Sequence, residues 1–169
     1  SLDADERCTP ESAAEIRAIV TSSDALDAYW MPRRNYFMGR WIKHSGWYPN
    51  YRQPQLFRKG CMYYDLKPVH EGYILNSSKP IGHLKNAIWQ FPFKRLEELV
   101  HKANKYSTLG AEKLVQKGRR NCSLWVALSH GLWSFFHMYI LKRGLMDGWP
   151  GFIIAFYNFE GTFYKYAKL

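Results

Sequence analysis

Residues 2–11 read Leu2-Asp3-Ala4-Asp5-Glu6-Arg7-Cys8-Thr9-Pro10-Glu11, and this stretch decides how the rest of the chain is organised. Thr9, Pro10 and Glu11 have the character of a helix N-cap, a first-turn proline and a first-turn acid. The helix they predict runs to about Val20, with Ala13, Ala14, Ile16, Ile19 and Val20 at three- and four-residue spacings that give one apolar stripe. Asp3 to Glu6 then fall on a strand-to-helix turn. Two carboxylates one residue apart at such a turn point the same way, which lets them share a hard divalent cation that phosphate oxygens also hold. The plainer reading makes Asp5 and Glu6 acids of a first helical turn that stabilise its dipole.

Working outward, Ala28–Met31 and Tyr36–Ile42 have the aromatic content of strands, with Pro32 confining the first to an edge or a bend. Residues 43–53 are rich in turn formers and in Trp47, Tyr48 and Tyr51, the composition of a surface loop. Strands are predicted again over Gln55–Arg58, Met62–Tyr64 and Val69–Leu75, and residues 76–93 read as loop. From Phe93 to Gly118 the apolar spacing becomes helical, as one long helix or two, interrupted by Gly110. Cys122–Leu141 then gives twenty residues without Lys, Arg, Asp or Glu, and Trp149–Tyr166 adds a second apolar stretch. Each approaches a membrane span in length, but Ser129, His130, Ser134 and His137 in the first and Asn158 and Glu160 in the second are costly in hydrocarbon. A helix lying in the interface suits this mixture, and a helical pair packed on its own domain is the alternative.

Bulk properties set limits on function. A chain of 169 residues, 47% of them hydrophobic, has enough apolar surface for a sizeable core. Cys8, Cys61 and Cys122 are odd in number and widely spaced, which argues against a disulfide framework or zinc knuckle and fits a reducing cytoplasm. The opening Ser1-Leu2-Asp3 has neither an initiator Met nor a basic-then-apolar leader, so an internal cut is expected there rather than a secretory signal. A net charge of +10 calls for an anionic partner. The excess is concentrated between Lys94 and Arg143, where ten Lys or Arg stand against three acids and run into aromatic-rich apolar segments. That combination favours an anionic membrane surface, and no nucleic-acid recognition motif is present.

The run from Leu2 to Glu11 resembles the LDADER-x-TPE segment of bacterial family-2 glycosyltransferases. Further likeness lies in Gly39-Arg40-Trp41-Ile42-Lys43-His44-Ser45-Gly46-Trp47, Gln55-Leu56-Phe57-Arg58-Lys59-Gly60, Val69-His70-Glu71, Leu109-Gly110-Ala111-Glu112-Lys113 and the closing residues 141–169. Together these are similar to the lipopolysaccharide-core subgroup, the heptose β-glucosyltransferases. The resemblance implies an α/β fold, an incomplete GT-A nucleotide-sugar-binding, Rossmann-like sheet over residues 1–91 followed by a basic and apolar helical region over 92–169. It implies a transferase that moves a sugar, with UDP-hexose as expected donor, onto a lipid-linked or core saccharide with inversion. By resemblance Asp5 is a ligand of Mg²⁺ or Mn²⁺ and Asp3 its neighbour facing the nucleotide. Glu71 is the general base, and His70 a further metal ligand or a diphosphate donor. Arg58 is a phosphate clamp or a solvated arginine at a strand end, and Trp47 and Tyr48 offer faces for the acceptor sugar. The family's first strands and helices precede the aspartate motif, so the 169-residue chain alone is expected to have little activity. A cytoplasmic protein peripheral to the inner membrane is expected, and a non-catalytic membrane-binding module is the competing reading.

Overall fold

The computed structural model describes residues 1–65, 72–119 and 121–169. In chain order these hold β1 (Glu6–Arg7), α1 (Pro10–Val20), β2 (Ala28–Trp30), β3 (Arg33–Phe37), β4 (Arg40–Trp41), β5 (Leu56–Phe57), β6 (Met62–Asp65), β7 (Gly72–Leu75), β8 (Gly82–His83) and β9 (Ile88–Phe93). Three helices follow: α2 (Leu96–Gln116), α3 (Leu124–Phe136) and α4 (Trp149–Ala167). The class is α/β with a helical C-terminal region. Two compact units are formed, one from Ser1–Asn35 and Trp47–Pro92, the other from Tyr36–Gly46 and Phe93–Leu169.

In the first unit, α1 begins where its sequence signals it. Ser12 N donates to Thr9 Oγ1 (3.1 Å) and Thr9 N to Ser12 Oγ (2.9 Å), so the cap is reciprocal, with Ser12 rather than an acid as the second partner. Ile16 and Ile19 of the apolar stripe pack with Tyr29 and Leu56 against buried Met31, Leu84 and Ile88. β2 pairs antiparallel with β5 and parallel with β8, and β6 pairs antiparallel with β7. The stretch 76–93, expected as loop, instead carries β8 and β9. Its strand character comes from its neighbour: β9 runs antiparallel to β1 with Glu6 opposite Gln90 and Arg7 opposite Trp89. Glu15 ties α1 to the residues before β9 by accepting from Lys85 N (2.8 Å), Asn86 N (2.8 Å) and Asn86 Nδ2 (2.9 Å).

The centre of this unit is ionic. Glu6 is no first-turn helix acid: its Oε1 accepts from Arg33 Nε at 2.7 Å, with both side chains almost wholly removed from solvent. Glu6 Oε2 accepts from Gln55 Nε2 (2.7 Å) and Asp3 N (3.1 Å). Arg33 in turn donates from Nη1 to Asn50 O (3.0 Å) and from its backbone N to Pro49 O (2.9 Å).

In the second unit, residues expected as one strand over 36–42 form a hairpin, because Met38 (φ 50°) and Gly39 (φ 78°) both take left-handed backbone between the end of β3 and β4. α2 is a single helix despite Gly110, where an added Cβ would lie 2.9 Å from the Lys165 stem. α3 continues through a π-helical turn, His137–Leu141, and a 3-10 turn, Gly144–Asp147, leads into α4. Both α2 and α3 pack on α4, and α3 does so with its small residues: Ala127 and Gly131 are buried, the latter under the Phe159 ring. At the turn, Gly151 sits so close that a Cβ there would meet Gly144 O at 1.9 Å. The Asp147 side chain, 4% exposed, accepts from Lys43 N (3.1 Å), His44 N (3.1 Å) and Ser45 Oγ (3.1 Å) and lies 3.1 Å from His44 Nδ1.

Three stability outcomes follow from these contacts. Glu6→Ala, which strands a buried guanidinium, should cost about 3–5 kcal/mol in urea unfolding, whereas Glu6→Met combined with Arg33→Met should cost far less; equal losses would show that the ion pair is not the determinant. Gly151→Ala should cost about 3 kcal/mol, since backbone rather than a flexible side chain must give way, and an unchanged Tm would refute this. For Glu15, burial opposes ionisation, but the bonds from Lys85 and Asn86 outweigh it and hold the carboxyl below its ordinary value of 4.5. A group lowered in the folded state stabilises above its unfolded pKa and ceases to do so as pH falls through the folded value. The Tm advantage of wild type over Glu15→Gln should therefore be full at pH 7 and shrink below about pH 4; a gap independent of pH would exclude the ionised carboxylate as its source.

Candidate functional site

The acidic turn at residues 3–6 lies in the first unit and leads into β1. Glu6 N donates to Asp3 O (3.0 Å) while Asp3 N donates to Glu6 Oε2 (3.1 Å), so the turn is closed in both directions by the residue that anchors it inside. The Asp3 carboxylate is exposed. Asp5 is half-buried, its backbone O accepting from Phe91 N (2.9 Å) and its Oδ2 from Gln90 Nε2 (3.2 Å). Adjacent residues thus divide the work: Glu6 faces inward to Arg33, and Asp3 and Asp5 stay accessible.

Arg33 extends the arrangement to the loop that holds Trp47 and Tyr48. Its bonds to Pro49 O and Asn50 O, with Asn35 Nδ2 donating to Trp47 O, fasten residues 47–50 from the β3 side. Tyr48 is exposed and Trp47 half-buried. Next along the loop, Tyr51 packs edge-on to Trp30 (centroids 6.2 Å apart) and to His83 (5.2 Å), and Trp30 packs edge-on to Tyr73 (5.8 Å). The Asp3–Asp5 turn and the aromatic loop are therefore linked through one buried guanidinium.

Arg58 is placed differently. It follows β5, its side chain is well exposed, and its Nε lies 3.6 Å from Asp27 Oδ1, where Lys79 Nζ also lies at 3.6 Å. Ser77 Oγ donates to Asp27 Oδ2 (2.7 Å), and this bond, with the two cations behind it, lowers the Asp27 carboxyl below its ordinary value. Such an exposed ion pair is worth about 0–1 kcal/mol, so Arg58 gives it up cheaply to another anion. His70 and Glu71 lie outside the described residues.

Three residues that the motif reading passed over belong to the site: Arg33 and Gln55, which hold Glu6, and Gln90, which holds Asp5. Gln55 Oε1 and Gln90 Oε1 are buried with no hydrogen-bond partner among the described residues, so each has acceptor capacity to spare beside the acids. For a divalent cation the donor set is chemically apt, because Mg²⁺ and Mn²⁺ take oxygen ligands and the turn presents only oxygens. Among the described residues no group of three or more His, Cys, Asp or Glu is poised to hold a metal. A cation here would be shared between one or two carboxylates and the oxygens of a bound phosphate.

No protein-family model and no solved structure matches the chain. The whole chain is 29% identical to a lipopolysaccharide core biosynthesis glycosyltransferase, LpsC, of Rhizobium meliloti, covering 62% of that protein. It is 24% identical to a protein of Rickettsia bellii and 25% identical to one of Rickettsia prowazekii, each named an uncharacterized glycosyltransferase and each covered over 60% of its length. The chain therefore spans about three fifths of the curated relatives it matches, and over all of that span its relatives are named glycosyltransferases.

Proposed function

We propose that this chain is part of a family-2, GT-A-type glycosyltransferase that moves a hexose from a nucleoside diphosphate sugar, with UDP-hexose the expected donor, to a core saccharide or lipid-linked sugar with inversion. The observation that carries this reading is the turn at Asp3 and Asp5: its carboxylates are accessible while a buried ion pair fixes its backbone. Its setting supports the reading, since the chain is similar throughout to proteins named glycosyltransferases.

In this reading Asp5, with Asp3 beside it, holds Mg²⁺ or Mn²⁺ against the donor diphosphate, and Gln90 keeps the Asp5 carboxylate oriented. When bound, the cation neutralises charge on the departing nucleoside diphosphate. Glu71 takes the proton of the acceptor hydroxyl as that oxygen bonds to the anomeric carbon and the bond from that carbon to the diphosphate oxygen breaks on the opposite face. His70 is a further metal ligand or donates to the diphosphate. Arg58 exchanges Asp27 for a phosphate, which guanidinium binds bidentately. Trp47 and Tyr48 lie against the apolar face of the acceptor sugar. A purely membrane-binding module would leave the buried support beneath Asp3 and Asp5 without a purpose.

The test is calorimetric titration of UDP-glucose into the full-length gene product with Mn²⁺, together with transfer assays. Wild type should bind in a metal-dependent manner, and Asp5→Asn should lower turnover by about 100-fold, with Glu71→Gln reducing turnover while sparing donor binding. Wild-type turnover in Asp5→Asn, or no binding of any nucleotide sugar, would overturn the assignment.

A further inference from the structure

The helical unit has a surface that the described residues leave uncovered. The stretch Leu124–Leu141 has the length and apolar composition of a membrane-crossing helix, yet 11% of it is buried, whereas the core helix of a water-soluble unit would be mostly buried. Its small residues face α4, and its large ones face outward: Trp125 is 77% exposed and Trp133 60%, with Leu132 and Phe136 beside them. On α4, Phe152 and Phe156 are also exposed and stack on each other. An apolar surface of this extent marks an interaction site.

We infer that this face docks on an anionic phospholipid bilayer, with α3 lying in the plane of the headgroups rather than crossing the hydrocarbon. Charge selects the partner. The sequence from Lys117 to Arg143 contains Lys117, Arg119, Arg120, Lys142 and Arg143 and no Asp or Glu, so the apolar stretch is cationic at both ends. Juxtamembrane Lys and Arg are each worth about 1 kcal/mol near an anionic leaflet. A protein partner of ordinary surface composition supplies no matching excess of anions, and a second copy, carrying +10 itself, would repel. Trp at the exposed positions also suits the headgroup boundary, where its apolar ring and polar N–H are both satisfied.

The turn after α3 decides orientation. Lys142 O accepts from Ser45 N (2.9 Å), and Asp147 holds Lys43, His44 and Ser45. A hairpin of α3 and α4 threaded through a bilayer would carry this knot of charged and polar groups across the hydrocarbon, which is prohibitive. Lying flat, the helix pair keeps the knot and Lys142 and Arg143 in water and buries only the aromatic face. The inference uses the helical unit and the net charge of the chain, not the acidic turn, and stands whether or not the transferase reading holds.

The experiment is flotation of the full-length protein with phosphatidylcholine vesicles prepared with and without phosphatidylglycerol, followed by alkaline carbonate washing. Binding should require phosphatidylglycerol, weaken in high salt and be released by carbonate. Partitioning should weaken roughly tenfold or more in Lys142→Glu/Arg143→Glu and in Trp125→Ser/Trp133→Ser. Because all four side chains are exposed, unchanged circular dichroism should accompany both losses. Equal binding to neutral vesicles would overturn the charge argument, and resistance to carbonate would overturn the in-plane one. Absence of vesicle binding, with self-association on sizing, would assign the face to a second copy instead.

Discussion

A carboxylate and a guanidinium withdrawn from water together must satisfy each other and nearly every remaining lone pair and proton, and Glu6 and Arg33 do so with the backbone of Asp3 and of residues 49–50 and the side chain of Gln55. The desolvation penalty of such a pair is several kcal/mol per ion, so its worth to stability is small and its worth to geometry large. The pair leaves little freedom at Asp3, Gln55 or residues 49–50, since moving any of them would unsatisfy a buried charge. The first unit has a modest apolar core around Met31, Leu84 and Ile88, and polar registration provides the positional definition that this core alone would not.

This constraint also explains what was legible beforehand. Helix α1 announced itself because capping and apolar spacing are local properties, and Thr9-Pro10 states both within the chain. Helix α2 was legible from its apolar spacing, and α3 and α4 from the length of their apolar runs. Strand β9 was not, because its strand identity depends on Glu6 and Arg7 across the ladder and its own sequence includes Pro92. The turn at Met38-Gly39 escaped notice since a methionine at positive φ gives no compositional hint. In the candidate site, Asp3 and Asp5 stand out by motif, but Arg33 looks like any cation in an Arg-Arg pair, and only tertiary structure shows it 2% exposed. Gln90 was equally hidden: a glutamine in an aromatic stretch acquires meaning once Asp5 is opposite.

The second unit follows a different logic. Its helices meet through glycine and alanine, at Gly131 under Phe159 and Gly151 against Gly144, so backbones approach closely and bulky side chains are displaced to the outside. Close helix contact through small residues is the usual solution where neighbouring surroundings are apolar. Composition alone could not separate that arrangement from an ordinary core pair, since Trp, Phe and Tyr serve both; the direction in which they point separates the two.

The units are interleaved along the chain, because Tyr36–Gly46 belongs with residues 93–169 although the first unit continues on both sides of it. During synthesis, then, the 36–46 hairpin must wait until more than half of the remaining chain has been made before Asp147 arrives to accept its amides, a loop closure of 102–104 residues. Contacts so distant in sequence form slowly. Nor does any single cut separate the units cleanly: cleavage after Pro92 leaves the helical half with a buried Asp147 carboxylate deprived of Lys43, His44 and Ser45.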